Sequence, residues 1–338
     1  MRNRKSMAAP SRVARHTRGR STFAETFGRS HDEAIASMDR QGDDVPNQIP
    51  TSPILLQRIG ITREAIPVTL VDPFDPEGRV QLACTVEAHA SLDPQRRGIH
   101  ISRLGDLLAR LTAEVFPSLQ HYAAALCERI CDAQGCDVAE VRASGVLSYL
   151  EDVVGVKEKE SIEHLKLGAF ACRARGLTTR SSSIGFNHIT ACPCVQQTFK
   201  HSLAEQNQEL LDQIAERDIP LLTHSQRCQT VVTISGEEEH PVALVDLLGA
   251  IDQVVVRSQN TLPREFELLA VHRAHANPQF LEDALRDLLQ TIHREIRAGH
   301  ATSTITIEAT SMESIHDFDI SGSITYSVAE LNRLLPEC

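Results

Sequence analysis

Two thiols separated by one proline, Cys192 and Cys194 at the end of the stretch 181–194 (SSSIGFNHITACPC), are where this chain is best equipped for chemistry. Proline fixes its own φ and biases the preceding residue toward extended backbone, so Cys-Pro-Cys is excluded from the middle of a helix. With Ile184, Phe186 and Ile189 set among polar neighbours, the stretch reads as a strand whose last residues deliver both thiols to a sheet end. A thiol placed there is a metal ligand, a nucleophile or core filling. Three more residues of metal-ligating type stand in other segments: His224 in THSQRC, Glu267 in REFELL and His316 in ESIHDF. One thiolate, two imidazoles and a carboxylate would suit one divalent ion, Zn2+, Fe2+ or Mn2+. Their separations are too long for spacing to define the site.

The elements that must position these residues follow from periodicity. PVTLVD, a turn-like DPFDPEG and VQLACTVEAHA form a β-hairpin, because Val80, Leu82, Cys84, Val86 and Ala88 alternate with more polar residues. Apolar periodicity from Leu104 to Leu111 and from Phe116 to Ile130 predicts two helices. Strands are expected at 138–150 and 164–174, then the stretch ending in Cys192 and Cys194, then a helix over 202–218 stopped by Pro220. A strand at 230–235 and a helix at 241–251 come next. Asn277-Pro278 reads as an N-cap and first helical residue, and Leu281, Leu285, Leu288 and Ile292 form the stripe of the helix that follows. TSTITIEAT closes the pattern as a strand. Strand pairs followed by helix pairs, twice over, indicate an α+β architecture with antiparallel sheets.

The chain has 338 residues, enough for two modules. Residues 1–50, rich in Arg, Ser and Asp and poor in aliphatics, are expected to be a mobile N-terminal arm. We divide the remainder into a first module at 51–180 and a second at 181–338. The formal charge of −11 argues against an extended nucleic-acid surface, and no apolar run reaches the length of a membrane span. Nine cysteines scattered without a secretory signal suit a reducing compartment, so a cytoplasmic location is expected. Cys127, Cys131 and Cys136 lie in an apolar segment and are expected to pack the core.

QRRGIHISR, ITACPC, THSQR, AHANPQFLED and ESIH occur in the order of the signature segments of the type IB GTP cyclohydrolase family, including its archaeal iron-dependent branch, and the chain resembles that family over roughly 55–325. The resemblance implies a tunnelling fold of two tandem ββαα-type modules with antiparallel sheets. It also implies a homotetramer with sites near subunit interfaces, and hydrolytic opening of the GTP imidazole ring at C8 with release of formate, giving a dihydroneopterin phosphate. It makes Cys192, His224, Glu267 and His316 the metal ligands, with Cys192 and His224 central to catalysis, and Glu282 the guanine anchor. The second module would thus carry most of the metal- and base-binding residues. Gln226 and Arg227, from THSQR, join the substrate contacts. The implied roles make chemical sense: a divalent metal lowers the pKa of bound water, and a carboxylate accepts from both N1–H and the 2-amino group of guanine. Arg96, Arg97, His100 and Arg103 could neutralise a triphosphate, with Ser102 adding a neutral hydrogen bond. His272 and His275 are candidates for proton transfer.

The chain departs from the family pattern at two places. Pro263-Arg264-Glu265-Phe266-Glu267 replaces the usual Lys-Arg and Pro- or Val-Asp-Glu, which makes Glu265 an alternative to Glu267, and Phe318 stands where a second histidine commonly follows ESIH. Two other readings keep the fold. One is a pterin synthase or nitrile reductase, the latter using Cys192 or Cys194 as a nucleophile; the other is a catalytically silent nucleotide-binding paralogue.

Overall fold

The computed structural model describes residues 44–153, 159–236 and 240–335. The arm expected at 1–50 therefore lies outside the described residues, apart from a short 3-10 turn at Val45–Asn47 and its flanks. The expected hairpin is β1 (Leu56–Asp72) with β2 (Asp75–Leu92). β1 begins eleven residues before Pro67 because its outer half is exposed on both faces and shows no alternation, and the ladder shifts register around Arg63, whose φ is 56°. Only the inner half buries a face, with Ile66, Val68 and Leu70 against the partner strand's Leu82, Cys84 and Val86.

Helix α1 (Ile101–Leu111) turns Leu104, Leu108 and Leu111 inward. α2 (Leu119–Gln134) starts after Pro117, leaving Phe116 in a two-residue strand β3 (Val115–Phe116). Ser118 caps its start by accepting from the His121 N–H at 3.3 Å, and Gly135, at φ 59°, ends it. β4 (Val138–Asp152), β5 (Glu160–Ala174) and β6 (Leu177–Ala191) are three long antiparallel strands. α3 (Pro193–Glu216) then bends at Asn207, whose Oδ1 accepts from the Leu210 N–H at 3.0 Å and caps the second half.

β7 (Ser225–Gly236) returns beside β6. α4 (Leu244–Val254), the short β8 (Val256–Arg257), α5 (Arg264–Ala276), α6 (Leu281–Ile296), β9 (Thr304–Met312), β10 (Ile320–Ser327) and α7 (Val328–Leu334) complete the chain. Asn277 is not the N-cap of α6: it is the C-cap of α5, with Pro278 just beyond, where proline blocks continuation of a helix. α6 starts at Leu281 and presents the expected stripe, Leu281, Leu285, Leu288 and Ile292.

The described strands form one ten-stranded sheet in the order β10-β9-β7-β6-β5-β4-β2-β1-β3, with β8 on β6; all pairs are antiparallel except β3 with β1. The strands are antiparallel, as expected, apart from that one pair, but the expectation of two tandem ββαα-type modules is corrected. The architecture is α+β and tunnelling-fold-like, but the sheet is not closed into a barrel and clean ββαα repeats are not evident. α3 separates β6 from β7, and α4, α5 and α6 all fall between β7 and β9. Buried apolar residues gather in two clusters, one under α1 and α2 and one under α4 and α6. Among the described residues no helix is long and apolar enough to cross a membrane.

Candidate metal centre

Two of the four expected metal ligands meet at the end of the β6–β7 ladder. The ladder closes at Ala191 opposite Ser225; beyond it the Cys192 N–H donates to the His224 carbonyl at 3.1 Å, and the Thr223 hydroxyl donates to the Cys192 carbonyl at 2.6 Å. Cys192 is the N-cap of α3 and Pro193 its first residue, so the strand ends one residue before the thiol and Cys194 belongs to the helix. That corrects the expectation that a strand end delivers both thiols: Cys192 is half-buried and makes no side-chain capping bond, while Cys194 is exposed in the first turn.

The half-buried His224 ring is oriented from the ESIH segment. Its Nδ1 lies 3.0 Å from Gln226 Oε1 and 3.2 Å from Ser314 Oγ. Gln226 uses its Nε2 to donate to Glu313 Oε1 at 3.2 Å, and Ser311 Oγ donates to the same oxygen at 2.8 Å. Gln226 Oε1 is therefore an acceptor, Nδ1 carries the proton, and the lone pair of Nε2 is open for a ligand bond. A ligating imidazole needs this kind of outer hydrogen bond to fix its tautomer. The backbones of the two residues are tied, and on donor chemistry an imidazole nitrogen and a thiol are the types that suit a divalent ion with nitrogen and sulfur preference.

Glu267 and His316 do not join them within the chain. Among the described residues no group of three or more His, Cys, Asp or Glu side chains gathers to hold a metal. Glu267 lies exposed near the start of α5. That helix is anchored at both ends: Asn260 N–H donates to the buried Glu163 carboxylate at 3.0 Å, and the His275 carbonyl accepts from Gln196 Nε2 at 2.7 Å. Glu267 stands eight residues from His275, or about 12 Å along the helix. His316 is exposed, and its ring stacks on Phe318 with centroids 5.0 Å apart and planes 4° apart. Phe318, where the family commonly has a histidine, thus holds the His316 ring from one side.

Glu282 is exposed in the first turn of α6, and Arg286 pairs with Asp283 at 3.2 Å rather than with Glu282. Arg227 is exposed beside Gln226. The basic segment is elsewhere. It follows β2, in the row Ala90–Ala139–Arg173–Thr178, which is the Leu177 end of β6. Cys192 is at the other end, roughly 45 Å away along the strand at about 3.3 Å per residue. Within the chain, Arg96 Nη1 donates to the Gln134 carbonyl and Arg103 Nη1 to the Ala133 carbonyl (3.1 Å), where cations complement the C-terminal end of α2. Arg97 Nη1 donates to Gln48 Oε1 at 2.9 Å. His100 is buried between Asp44 and Asn47, while Ser102 is exposed.

Behind the ladder end lies a buried polar row. His188 is fully buried, with Nε2 2.9 Å from Thr230 Oγ1, and Cys228 Sγ lies 3.8 Å from that hydroxyl. Burial pulls the His188 imidazole down to about 4 and pushes the Cys228 thiol up to about 11. Burial also lowers His275, whose Nε2 is buried without a partner. Cys127 and Cys131 are core thiols, as expected, both pushed up to about 12 by burial. Gln196, Glu313 and Ser314 were not singled out by the sequence. The last two are the first two residues of ESIH, whereas nothing in the pattern signals Gln196.

The family profile described as Type I GTP cyclohydrolase folE2 (GCHY-1) matches residues 43–321. The chain is 28% identical over 296 residues to "GTP cyclohydrolase MptA 2" of Methanocella arvoryzae, covering 82% of this chain and 94% of that protein. It is 26% identical over 315 residues to "GTP cyclohydrolase MptA" of Methanosarcina barkeri, covering 87% and 97%. Among solved structures, a uricase from Arthrobacter globiformis aligns over 81% of this chain and 95% of its own with a TM-score of 0.45 and 6% identity.

Proposed function

This chain belongs to the Type I GTP cyclohydrolase family, and we infer that Cys192 and His224 are the core of a single-metal centre that serves hydrolytic opening of the guanine imidazole ring of GTP at C8. Formate leaves, and the product is a 7,8-dihydroneopterin phosphate, either a triphosphate or a cyclic phosphate. The observation that carries this reading is the joined geometry at the β6–β7 ladder end: a backbone-tied pair in which Nδ1 of His224 is already committed and Nε2 is open.

In this reading Glu267 and His316, which stand apart from that pair in the single chain, would complete the ligand set on metal binding, with Fe2+, Zn2+ or Mn2+ as the ion. When bound, the metal supplies a water molecule acidified enough to act as a nucleophile near neutral pH. Gln226 and Ser314 hold the His224 ring. The exposed Glu282 carboxylate accepts hydrogen bonds from N1–H and the 2-amino group of guanine, a bidentate pattern that adenine cannot supply. Arg227 is near enough in sequence to take part in substrate contact.

The triphosphate contacts have to come from a second copy of the chain, because the basic segment lies at the far end of β6. Arg97, Ser102 and Arg103 are the exposed members of that segment; Arg96 and His100 hold it in shape. Self-association, to a homotetramer in our reading, is supported by exposed apolar side chains on α5 and in the segments that carry His224 and His316: Leu268 (68%), Leu222 (67%), Ile315 (58%) and Phe318 (60%). The two-module division at 51–180 and 181–338 is supported by the two buried clusters. The free thiols of every described cysteine fit a reducing cytoplasm.

The test is anaerobic purification, measurement of bound metal, and incubation with GTP while following formate and fluorescent oxidised pterin. Formate should appear with the metal-loaded protein and stop on chelation. GTP binding with no formate, or formate that persists after complete metal removal, would contradict the reading.

A further inference from the structure

Gln196 sits where the segments of three of the four proposed ligands meet. It lies one turn into α3, and its backbone N–H donates to the Cys192 carbonyl at 3.4 Å. Its side-chain nitrogen Nε2 donates in two directions, to the Leu221 carbonyl at 3.4 Å and to the His275 carbonyl at 2.7 Å. An amide nitrogen has two N–H groups, so both are in use. Leu221 stands three residues before His224, and His275 lies in the last turn of the helix that carries Glu267.

The three segments are held unequally. Cys192 and His224 are already joined by the Cys192 N–H bond to the His224 carbonyl and by Thr223, whose hydroxyl donates to the Cys192 carbonyl. α5 has far less to hold it. Of its thirteen residues only Ala274 is buried, while Leu268, Leu269 and Val271 are exposed. A helix of this length is marginal by itself and normally draws its stability from a buried apolar face. Without such a face in the chain, polar ties have to fix where α5 lies. The residues before it are fastened by Ser258, whose N–H donates to the Asn187 carbonyl at 2.9 Å, and by Asn260 on Glu163. Toward its other end the His272 ring lies 2.9 Å from the Asp218 carbonyl at an exposed position, and Gln196 supplies a shorter, half-buried bond. Of these ties, Gln196 is the one that joins α5 at a single point to both the Cys192 turn and the segment before His224.

We propose that Gln196 is a positioning residue of the candidate metal centre: its amide sets α5 against the Cys192–His224 pair and so governs whether the Glu267 carboxylate reaches an ion held there. The proposal rests on the single-metal reading above and adds to it a residue that acts through α5 rather than as a ligand.

Gln196→Met keeps the length of the side chain and removes both donors; Gln196→Ala makes the same test should the first variant fail to fold. In the metal-free protein, hydrogen exchange of the α5 amides should quicken about three- to tenfold in the variant, the value of the lost hydrogen bonding, while the β6–β7 ladder keeps its wild-type protection. Titration with Co2+ reads the centre itself, since a thiolate ligand gives a near-ultraviolet charge-transfer band and the visible bands report the number of ligands. Co2+ affinity should fall roughly tenfold in Gln196→Met, with the thiolate band retained at saturation and visible bands like those of Glu267→Gln. Adding Gln196→Met to Glu267→Gln should then weaken Co2+ binding by less than about twofold more, because both changes remove the same ligand. Wild-type α5 exchange in a folded Gln196 variant, unchanged Co2+ affinity, or full additivity of the two substitutions would overturn the role of Gln196 and leave the metal reading standing. A wild-type protein with no thiolate band, or with one that survives Cys192→Ala, would instead overturn the metal reading and this proposal with it.

Discussion

His188 should make the fold acid-sensitive in a way a single substitution can isolate. The side chain is fully buried on β6, with its one side-chain hydrogen bond to Thr230, and burial lowers its pKa from the ordinary 6.5 to about 4. The folded state refuses a proton that the unfolded chain takes up below about pH 6.5. The stabilising effect is therefore complete above the unfolded pKa and is lost as pH falls toward 4. The linkage relation for these two values gives a loss of about 2 kcal/mol between pH 7 and pH 5, rising to about 3 kcal/mol near pH 4. Urea denaturation of wild type and His188→Gln at pH 7 and pH 5, both with chelator so that metal release contributes equally, yields the difference of differences. His188→Gln will be less stable at pH 7, since it alters a packed site, but should lose about 2 kcal/mol less than wild type on going to pH 5. Equal pH dependence in the two proteins, within about 0.5 kcal/mol, would refute the claim that this imidazole stays neutral because it is buried.

Arg257 is the buried tie between α4 and β4: its guanidinium, 10% exposed, meets Asp252 at 2.6 and 2.9 Å, Glu151 at 2.9 Å and the Tyr149 hydroxyl at 2.9 Å. Arg257→Met should cost about 2–3 kcal/mol in urea denaturation, toward the low end for a broken buried pair because both carboxylates retain solvent. Gly60 is the tightest point of the β1–β2 ladder. An added Cβ would stand 1.9 Å from the Ala88 carbonyl oxygen, so Gly60→Ala should lower the thermal midpoint by several degrees, reflecting a loss of about 2 kcal/mol or more. Glu282→Gln should raise the KM for GTP by roughly tenfold or more while metal content stays unchanged, since the variant keeps one acceptor but loses the charge. Loss of metal in that variant would show that Glu282 has a different role.

Much of the architecture was legible because the inner strands bury one face: Leu82, Cys84, Val86 and Ala88 alternate in sequence as they do in the structure. The outer half of β1 escaped notice because neither face is buried, and β10 because its exposed residues show no buried face. α5 was missed for a related reason. Among its residues only Ala274 is buried, while Leu268, Leu269 and Val271 point to solvent, so its apolar residues mark an outer surface rather than a core stripe. Asn277-Pro278 carries a stop signal and a start signal at once, and only the three-dimensional path shows which applies. At the candidate centre, proline between two cysteines was enough to separate their environments, placing Cys192 at the cap and Cys194 in the helix. Spacing could not reveal that the basic segment and the thiol sit at opposite ends of one long strand, because that depends on which strands pair and in which register.

The role of Cys192 is tested most directly by the metal content of Cys192→Ala and Cys194→Ala purified anaerobically beside wild type and assayed for formate from GTP. Cys192→Ala should lose most of its bound metal and its formate release, while Cys194→Ala, whose thiol is exposed on the first turn of α3, should keep both near the wild-type level. Equal retention of metal and activity in both variants would contradict the assignment of Cys192 as a ligand, and loss confined to Cys194→Ala would reverse it.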